Sequence, residues 1–110
     1  MTMRDALLPL RDPLLEFAQH QERVLRRHDP VKGGEDEWRK LTFYELLEQL
    51  KREVVELDRA IDHEGLARVI AEAVDVGNLA MMIHDRARVA QAAARPALDT
   101  EAGHGREGNA

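Results

Sequence analysis

The segment 69–83 constrains the fold of this chain more than any other, because only three of its fifteen side chains are polar. They are Glu72, Asp75 and Asn78, which recur at every third position and therefore lie in a row along one flank of a helix. A helix that is apolar on nearly all sides is typical of the centre of a helical bundle. The segment is shorter than the roughly 18 apolar residues that a membrane span needs, so we expect no membrane partner.

The composition favours one small all-α domain. The 110 residues are rich in Ala, Leu, Glu and Arg, lack cysteine and carry a net charge of −5. Without cysteine the chain has no disulfides, thiolate metal sites or cysteine nucleophiles, and we expect a cytoplasmic protein. Its acidity argues against a nucleic acid polymer as partner. A domain of this length buries only a small core, so we expect a bundle of about three helices that dimerisation completes.

Local signals divide the chain into an arm at residues 1–11, a helical domain at residues 12–94 and a disordered tail at residues 95–110. Asp12-Pro13 predicts the start of the first helix, because a capping acid stands before proline at the first helical position. Asp29-Pro30 predicts its end, and a loop follows as far as residue 40.

Two further helices are predicted after this loop. Thr42 and Glu45 have the spacing of a capping box, which indicates the start of the second helix. The segment 62–65 contains glycine and predicts a turn. The third helix then begins near Leu66 and runs through residue 94, where Arg95-Pro96 predicts its end.

The second helix carries a pair of acids that matches the pair on the third. Glu53 and Glu56 are three positions apart, as are Glu72 and Asp75, and a short turn between antiparallel helices would bring the pairs face to face. Burying carboxylates costs several kcal/mol unless they are paired or bind a cation. Four carboxylates form an oxygen-only site suited to Mg²⁺ or Mn²⁺. No helical histidine falls in register with them, which disfavours a di-iron site.

The two acidic pairs differ in how well a simple ion pair, rather than a metal, explains them. Glu56 has Arg52 and Arg59 within one helical turn, so a solvated ion pair explains it as well as a metal does. Asp75 has no basic residue four positions away on either side. A metal ligand is therefore the better interpretation for Asp75 and its neighbour Glu72.

Four other residues are candidate substrate contacts. Trp38, the only tryptophan, either covers the end of the bundle or stacks on a base. Lys32 is either solvated or meets a phosphate. Asn78 is either a buried amide satisfied by backbone or a contact to phosphate or sugar. Asp85 shares the face of Asn78 and either contacts substrate or forms a salt bridge with Arg88.

The spacing of the acids resembles a known family. Glu53-Val-Val-Glu56, fifteen intervening residues and Glu72-Ala-Val-Asp75 resemble the ExxE…ExxD signature of the MazG-like all-α nucleoside triphosphate pyrophosphatases. The loop His28-Asp29-Pro-Val-Lys32-Gly-Gly…Trp38 is similar to the one before their first metal helix. The run Asp75-Val-Gly-Asn78-Leu-Ala-Met-Met-Ile-His-Asp85 is similar to their second metal helix. The resemblance spans residues 14–86, and many members have a further acid where this chain has Arg52.

The resemblance implies a helical bundle that forms a homodimer or larger homo-oligomer. It implies Mg²⁺-dependent hydrolysis of a nucleoside or deoxynucleoside triphosphate to the monophosphate and pyrophosphate, as housekeeping of the nucleotide pool. The implied metal ligands and catalytic residues are Glu53, Glu56, Glu72 and Asp75. The alternative is a non-catalytic interaction or regulatory module that keeps this fold and uses its acids structurally.

Overall fold

The computed structural model describes residues 8–32, 34 and 36–100, with the side chains of residues 31, 32 and 95–100 left aside. Within these ranges all regular secondary structure is helical, which confirms the all-α prediction. The elements are α1 (Asp12–Lys32), a short 3₁₀ helix (Glu37–Lys40), α2 (Phe43–His63) and α3 (Leu66–Thr100). None of these described helices is both long enough and apolar enough to cross a membrane. Residues 1–7 of the predicted arm and 101–110 of the predicted tail lie outside the described residues.

The start of α1 lies one residue earlier than the sequence pattern predicts. The Arg11 carbonyl oxygen accepts hydrogen bonds from the backbone N–H groups of Leu14 at 3.0 Å and Leu15 at 3.1 Å. Asp12 is therefore the first helical residue and not the cap. Its negative charge still lies in the first turn, where it interacts favourably with the helix dipole.

The predicted end of α1 at Asp29-Pro30 is wrong, because the helix continues to Lys32. Proline removes one backbone hydrogen bond, and only two helical residues follow it here. The Gly34 N–H donates to the Asp29 carbonyl oxygen at 2.8 Å, which closes the helix end in the manner of a Schellman motif.

The capping box at the start of α2 is confirmed. The Thr42 hydroxyl accepts from the Glu45 backbone N–H at 3.0 Å, and the Glu45 carboxylate accepts from the Thr42 backbone N–H at 2.8 Å. Arg86 of α3 also holds this end of the helix. Its Nε donates to the Leu41 carbonyl oxygen at 3.1 Å, and its guanidinium lies 5.1 Å from the centre of the Phe43 ring.

We expect Thr42→Ala to lower the free energy of unfolding by about 1 kcal/mol, because it removes the side-chain acceptor of the capping box. Thr42→Ser keeps a hydroxyl at this position and serves as the matched control. Urea denaturation followed by circular dichroism measures both variants. Equal midpoints for wild type and Thr42→Ala would contradict the capping role.

A two-residue turn, Glu64 and Gly65, joins α2 to α3. Gly65 has a φ of 88°, a backbone conformation that side chains with a Cβ rarely adopt. Its carbonyl oxygen accepts the first hydrogen bond of α3, from the Val69 N–H at 3.1 Å. The tight turn makes α2 and α3 antiparallel neighbours, as predicted.

The predicted end of α3 at Arg95-Pro96 is also wrong, because the helix reaches Thr100. Three alanines, at residues 92–94, precede Arg95, and alanine has the highest helix propensity. Pro96 removes one hydrogen bond without ending the helix.

The core of the described part is small and lies where α3 packs against α2 and, less extensively, α1. Its buried apolar side chains are Val24, Leu46, Ala60, Val74 and Leu79. Gly77 allows α1 to approach, since a Cβ there would lie 2.5 Å from Phe17 Cζ. On α2, by contrast, the stripe Leu47, Val54 and Ile61 is 36%, 47% and 62% exposed.

Candidate metal centre

Three of the four predicted metal ligands come together between α2 and α3. Glu53, Glu72 and Asp75 each offer a carboxylate oxygen, and these oxygens lie within 4.8 Å of one another. Glu53 and Asp75 are half-buried, whereas Glu72 is only 4% exposed. The helical spacing aligns Glu72 with Asp75, and the Gly65 turn brings Glu53 across to them.

The fourth predicted ligand, Glu56, lies outside this cluster. Both of its carboxylate oxygens accept from Arg59 Nη1, at 3.1 Å each, and its side chain is 42% exposed. This is the surface ion pair that the sequence offers as the alternative. Glu56 is still close enough for its charge to raise the pKa of Glu53.

The cluster strongly disfavours full ionisation of Glu53. Burial, the contact with the Glu72 carboxyl group and the negative charges of Asp75, Glu72 and Glu56 together raise the pKa of Glu53 to about 7. Burial and like charges both disfavour the ionised form of a carboxyl group.

Asp75 experiences the same repulsion. Burial and the charge of Glu72 raise the pKa of Asp75, while His28, Arg68 and Arg27 oppose the shift. A cation between these oxygens would remove the repulsion, since it favours the ionised form of each acid.

Glu72 is the most buried acid of the cluster and is only partly satisfied. Its Oε2 accepts a hydrogen bond from Arg68 Nη2, whereas its Oε1 is buried and has no hydrogen-bond partner among the described residues. Three carboxylates and one guanidinium leave two uncompensated negative charges when all are ionised. The unpaired buried oxygen, the charge of −2 and the all-oxygen donor set fit a divalent hard cation such as Mg²⁺ or Mn²⁺.

A cavity of about 470 Å³ adjoins the acids. Its volume lies in the range of small-molecule sites. Glu53, Asp75 and Asn78 form part of its wall. The remaining wall has an apolar or aromatic part that includes Leu25, Leu41, Leu79, Met82 and Trp38. It also has a polar part formed by His28, Asp29, Glu37, Lys40 and Gln49. The arrangement places carboxylates beside a pocket that suits a partly apolar, partly charged ligand.

Asn78 lines this cavity and is 4% exposed. Its Oδ1 is buried without a hydrogen-bond partner in the described part of the chain. Asn78 is therefore a buried amide whose oxygen no backbone group satisfies among the described residues. Lys32 is the last residue of α1, and its side chain lies outside the described residues.

Trp38 and Asp85 are joined by a hydrogen bond. Trp38 Nε1 donates to Asp85 Oδ2 at 2.9 Å. Arg39 donates to the same carboxylate twice, from Nε to Oδ2 at 2.8 Å and from Nη2 to Oδ1 at 3.0 Å. The hydrogen bonds from Arg39 and Trp38 lower the pKa of Asp85 to about 2. The ion pair of Asp85 is therefore with Arg39, and not with Arg88 as the sequence suggests.

Sequence reasoning overlooked Arg39, although it completes this arrangement. Nothing in the local sequence reveals it, because it pairs with a residue 46 positions away. Gln49 was also overlooked. It lines the cavity one helical turn before Glu53, and that spacing is a usable signal.

Comparison of the chain with protein-family models, with curated proteins and with solved structures finds no match.

Proposed function

We propose that this protein is a Mg²⁺-dependent nucleoside triphosphate pyrophosphohydrolase that acts on the cytoplasmic nucleotide pool. The observation that carries the proposal is the convergence of Glu53, Glu72 and Asp75. Two of these acids, Glu53 and Asp75, line the cavity that Trp38 also lines. Acids and an aromatic ring around one cavity match a ligand with a charged phosphate end and a planar base. The resemblance to the MazG-like family supports the same activity.

The three acids would hold the cation through carboxylate oxygens. A divalent cation held there supplies neutralisation of phosphate charge and activation of a water for attack at phosphorus. Arg68 holds the Glu72 carboxylate in place through its hydrogen bond.

The activity is tested by screening the common ribo- and deoxyribonucleoside triphosphates for pyrophosphate release with and without Mg²⁺. We expect release from at least one nucleotide, and only with the metal. A screen in which none is hydrolysed would favour the alternative, a non-catalytic interaction or regulatory module. Under that alternative the acids have a structural role. The ion pairs of Glu56 with Arg59 and of Glu72 with Arg68 agree with such a role.

Trp38 is proposed to stack on the base of the nucleotide. Stacking of this kind is present in ground and transition states alike, so its loss raises KM more than it lowers kcat. We expect Trp38→Ala to raise KM for the best nucleotide by about ten-fold, within the range measured for base stacking elsewhere. Steady-state kinetics with Trp38→Phe as the matched aromatic control measures this. An unchanged KM in Trp38→Ala would leave the residue with a packing role alone.

We further propose that two or more copies of the chain assemble. The stripe Leu47, Val54 and Ile61 recurs at every seventh position of α2, a spacing typical of paired helices. Its side chains are 36–62% exposed in the single chain. A second copy would cover it. Sedimentation equilibrium is expected to give a dimer or larger species, and Val54→Glu to shift it towards monomer. A folded 12.5 kDa monomer of the wild type at micromolar concentration would contradict this.

A further inference from the structure

The cavity wall that contains Trp38 is built on a very short element. The 3₁₀ helix Glu37–Lys40 has four residues, and none of them is buried. A short element without a buried residue restrains the direction of a large side chain less than a long packed helix does. In the described structure the indole N–H of Trp38 is held by a hydrogen bond to Asp85, which stands on the long helix α3.

Asp85 is well suited to hold this ring. Its carboxylate accepts three hydrogen bonds, one from Trp38 and two from Arg39, so both oxygens are engaged from the same short element. Bonds to an ionised acceptor are stronger than neutral ones, and a bidentate arginine adds directional restraint. The side chain of Asp85 is 24% exposed, and its hydrogen bond from Trp38 is partly buried.

The same hydrogen bond limits which part of Trp38 a ligand can contact. The indole has a single hydrogen-bonding group, its N–H, and Asp85 already accepts from it. A molecule in the cavity can therefore contact only the carbon surface of the ring. Such a contact increases the affinity for a flat aromatic ligand and adds little to the affinity for a phosphate chain alone.

We propose that Asp85 is a positioning residue that fixes Trp38 as a stacking wall of the cavity, with Arg39 holding the carboxylate in place. The inference rests on the proposed function in taking the stacked ring to be the base of a nucleotide. Asp85 touches neither the acids nor the phosphates in this account. It selects triphosphates that carry a base over inorganic tripolyphosphate, which has the same charged end and no ring.

The fluorescence of Trp38 tests the positioning without any ligand, because it is the only tryptophan of the chain. In Asp85→Ala the ring loses its anchor, and we expect a red-shifted emission and stronger quenching by acrylamide. In Asp85→Asn an acceptor for the indole N–H remains, and we expect a smaller change. Asp58→Ala, an exposed aspartate of α2, is the matched control.

Kinetics tests the selectivity in the same proteins. For Asp85→Ala we expect KM for the best nucleotide to rise about ten-fold while kcat stays within about two-fold. The inhibition constant of inorganic tripolyphosphate is expected to stay unchanged, because it makes no stacking contact. A general structural defect would raise both the KM for the nucleotide and the inhibition constant of tripolyphosphate. Asp85→Asn keeps an acceptor for the indole N–H, so we expect its KM to lie between those of wild type and Asp85→Ala.

Emission and quenching of Asp85→Ala equal to those of wild type would overturn the positioning role. A parallel rise in KM and in the tripolyphosphate inhibition constant would overturn the selectivity. If wild type hydrolyses no nucleotide, the proposed function fails, and the ligand-free fluorescence still decides whether Asp85 fixes Trp38.

Discussion

Asp75→Asn is expected to lower kcat/KM for pyrophosphate release by about a hundred-fold or more. The substitution keeps the volume of the side chain and removes one of three clustered carboxylates. Stabilisation of phosphoryl charge by a bound cation is worth several kcal/mol, and each 1.36 kcal/mol is a factor of about ten in rate. Losing a charged ligand removes much of that stabilisation.

The matched control for this experiment is Asp58→Asn, the same chemical change at an exposed position of α2. It is expected to retain wild-type turnover, and circular dichroism should show equal helicity in both variants. Wild-type kcat/KM in Asp75→Asn would remove the catalytic claim for the cluster.

Glu56→Gln tests whether Glu56 is a metal ligand, as the resemblance implies, or only the ion-pair partner of Arg59. The resemblance makes Glu56 a ligand, whereas its carboxylate here is held by Arg59 outside the cluster. A loss as large as that of Asp75→Asn would mean that Glu56 leaves Arg59 when the site is loaded. A small loss would mean that three carboxylates suffice.

Mg²⁺ is expected to raise the melting temperature of the wild-type protein by about 10 °C at a hundred-fold excess over its dissociation constant. The physical reason is the repulsion within the apo cluster, which burial and neighbouring charges make strong enough to raise the pKa of Glu53 to about 7. Differential scanning calorimetry with and without the metal measures the gain. Asp75→Asn should show little gain, and its apo form should melt higher than apo wild type because one repelling charge is gone.

The same shift in the pKa of Glu53 predicts how the gain depends on pH. Because this pKa rises from 4.5 to about 7 on folding, the apo folded state binds more protons than the unfolded state within that interval. Apo stability should therefore fall as pH rises through it. Mg²⁺ needs ionised ligands, so its stabilisation should be larger at about pH 8 than at about pH 6. A gain that is equal at both pH values, or equal in Asp75→Asn, would place any metal elsewhere.

The parts of this protein that sequence analysis predicted correctly depend on short-range rules. The capping box at Thr42 involves residues three apart, and the turn at Gly65 depends on one glycine with positive φ. The pairing of Glu53 with Glu72 and Asp75 follows from helical spacing and a short turn, so three acids of the site could be located in advance.

The predicted ends of α1 and α3 were wrong because a single proline does not outweigh the stability of the helix around it. Pro30 and Pro96 each remove a single hydrogen bond, which the surrounding helix tolerates near its end. Glu56 is a different case: spacing and the resemblance grouped it with the other acids, and the ion pair with Arg59 in the structure is the alternative that the sequence also indicated.

The arrangement around Trp38 could not be predicted, because its partners are distant in sequence. Asp85 lies 47 residues from Trp38 and 46 from Arg39. Only the packing of the 3₁₀ helix against α3 brings them together. No periodicity within either segment encodes that contact.

Binding of Mn²⁺ followed by electron paramagnetic resonance tests the central claim most directly, because bound and free ions differ in signal. Wild-type protein is expected to bind the ion saturably, and Mg²⁺ to displace it. Asp75→Asn is expected to bind it at least about ten-fold more weakly, since even the loss of a residue behind a ligand weakens metal affinity by 10–100-fold. Equal binding by wild type and Asp75→Asn, or no binding by wild type, would contradict the assignment of Glu53, Glu72 and Asp75 as a metal site.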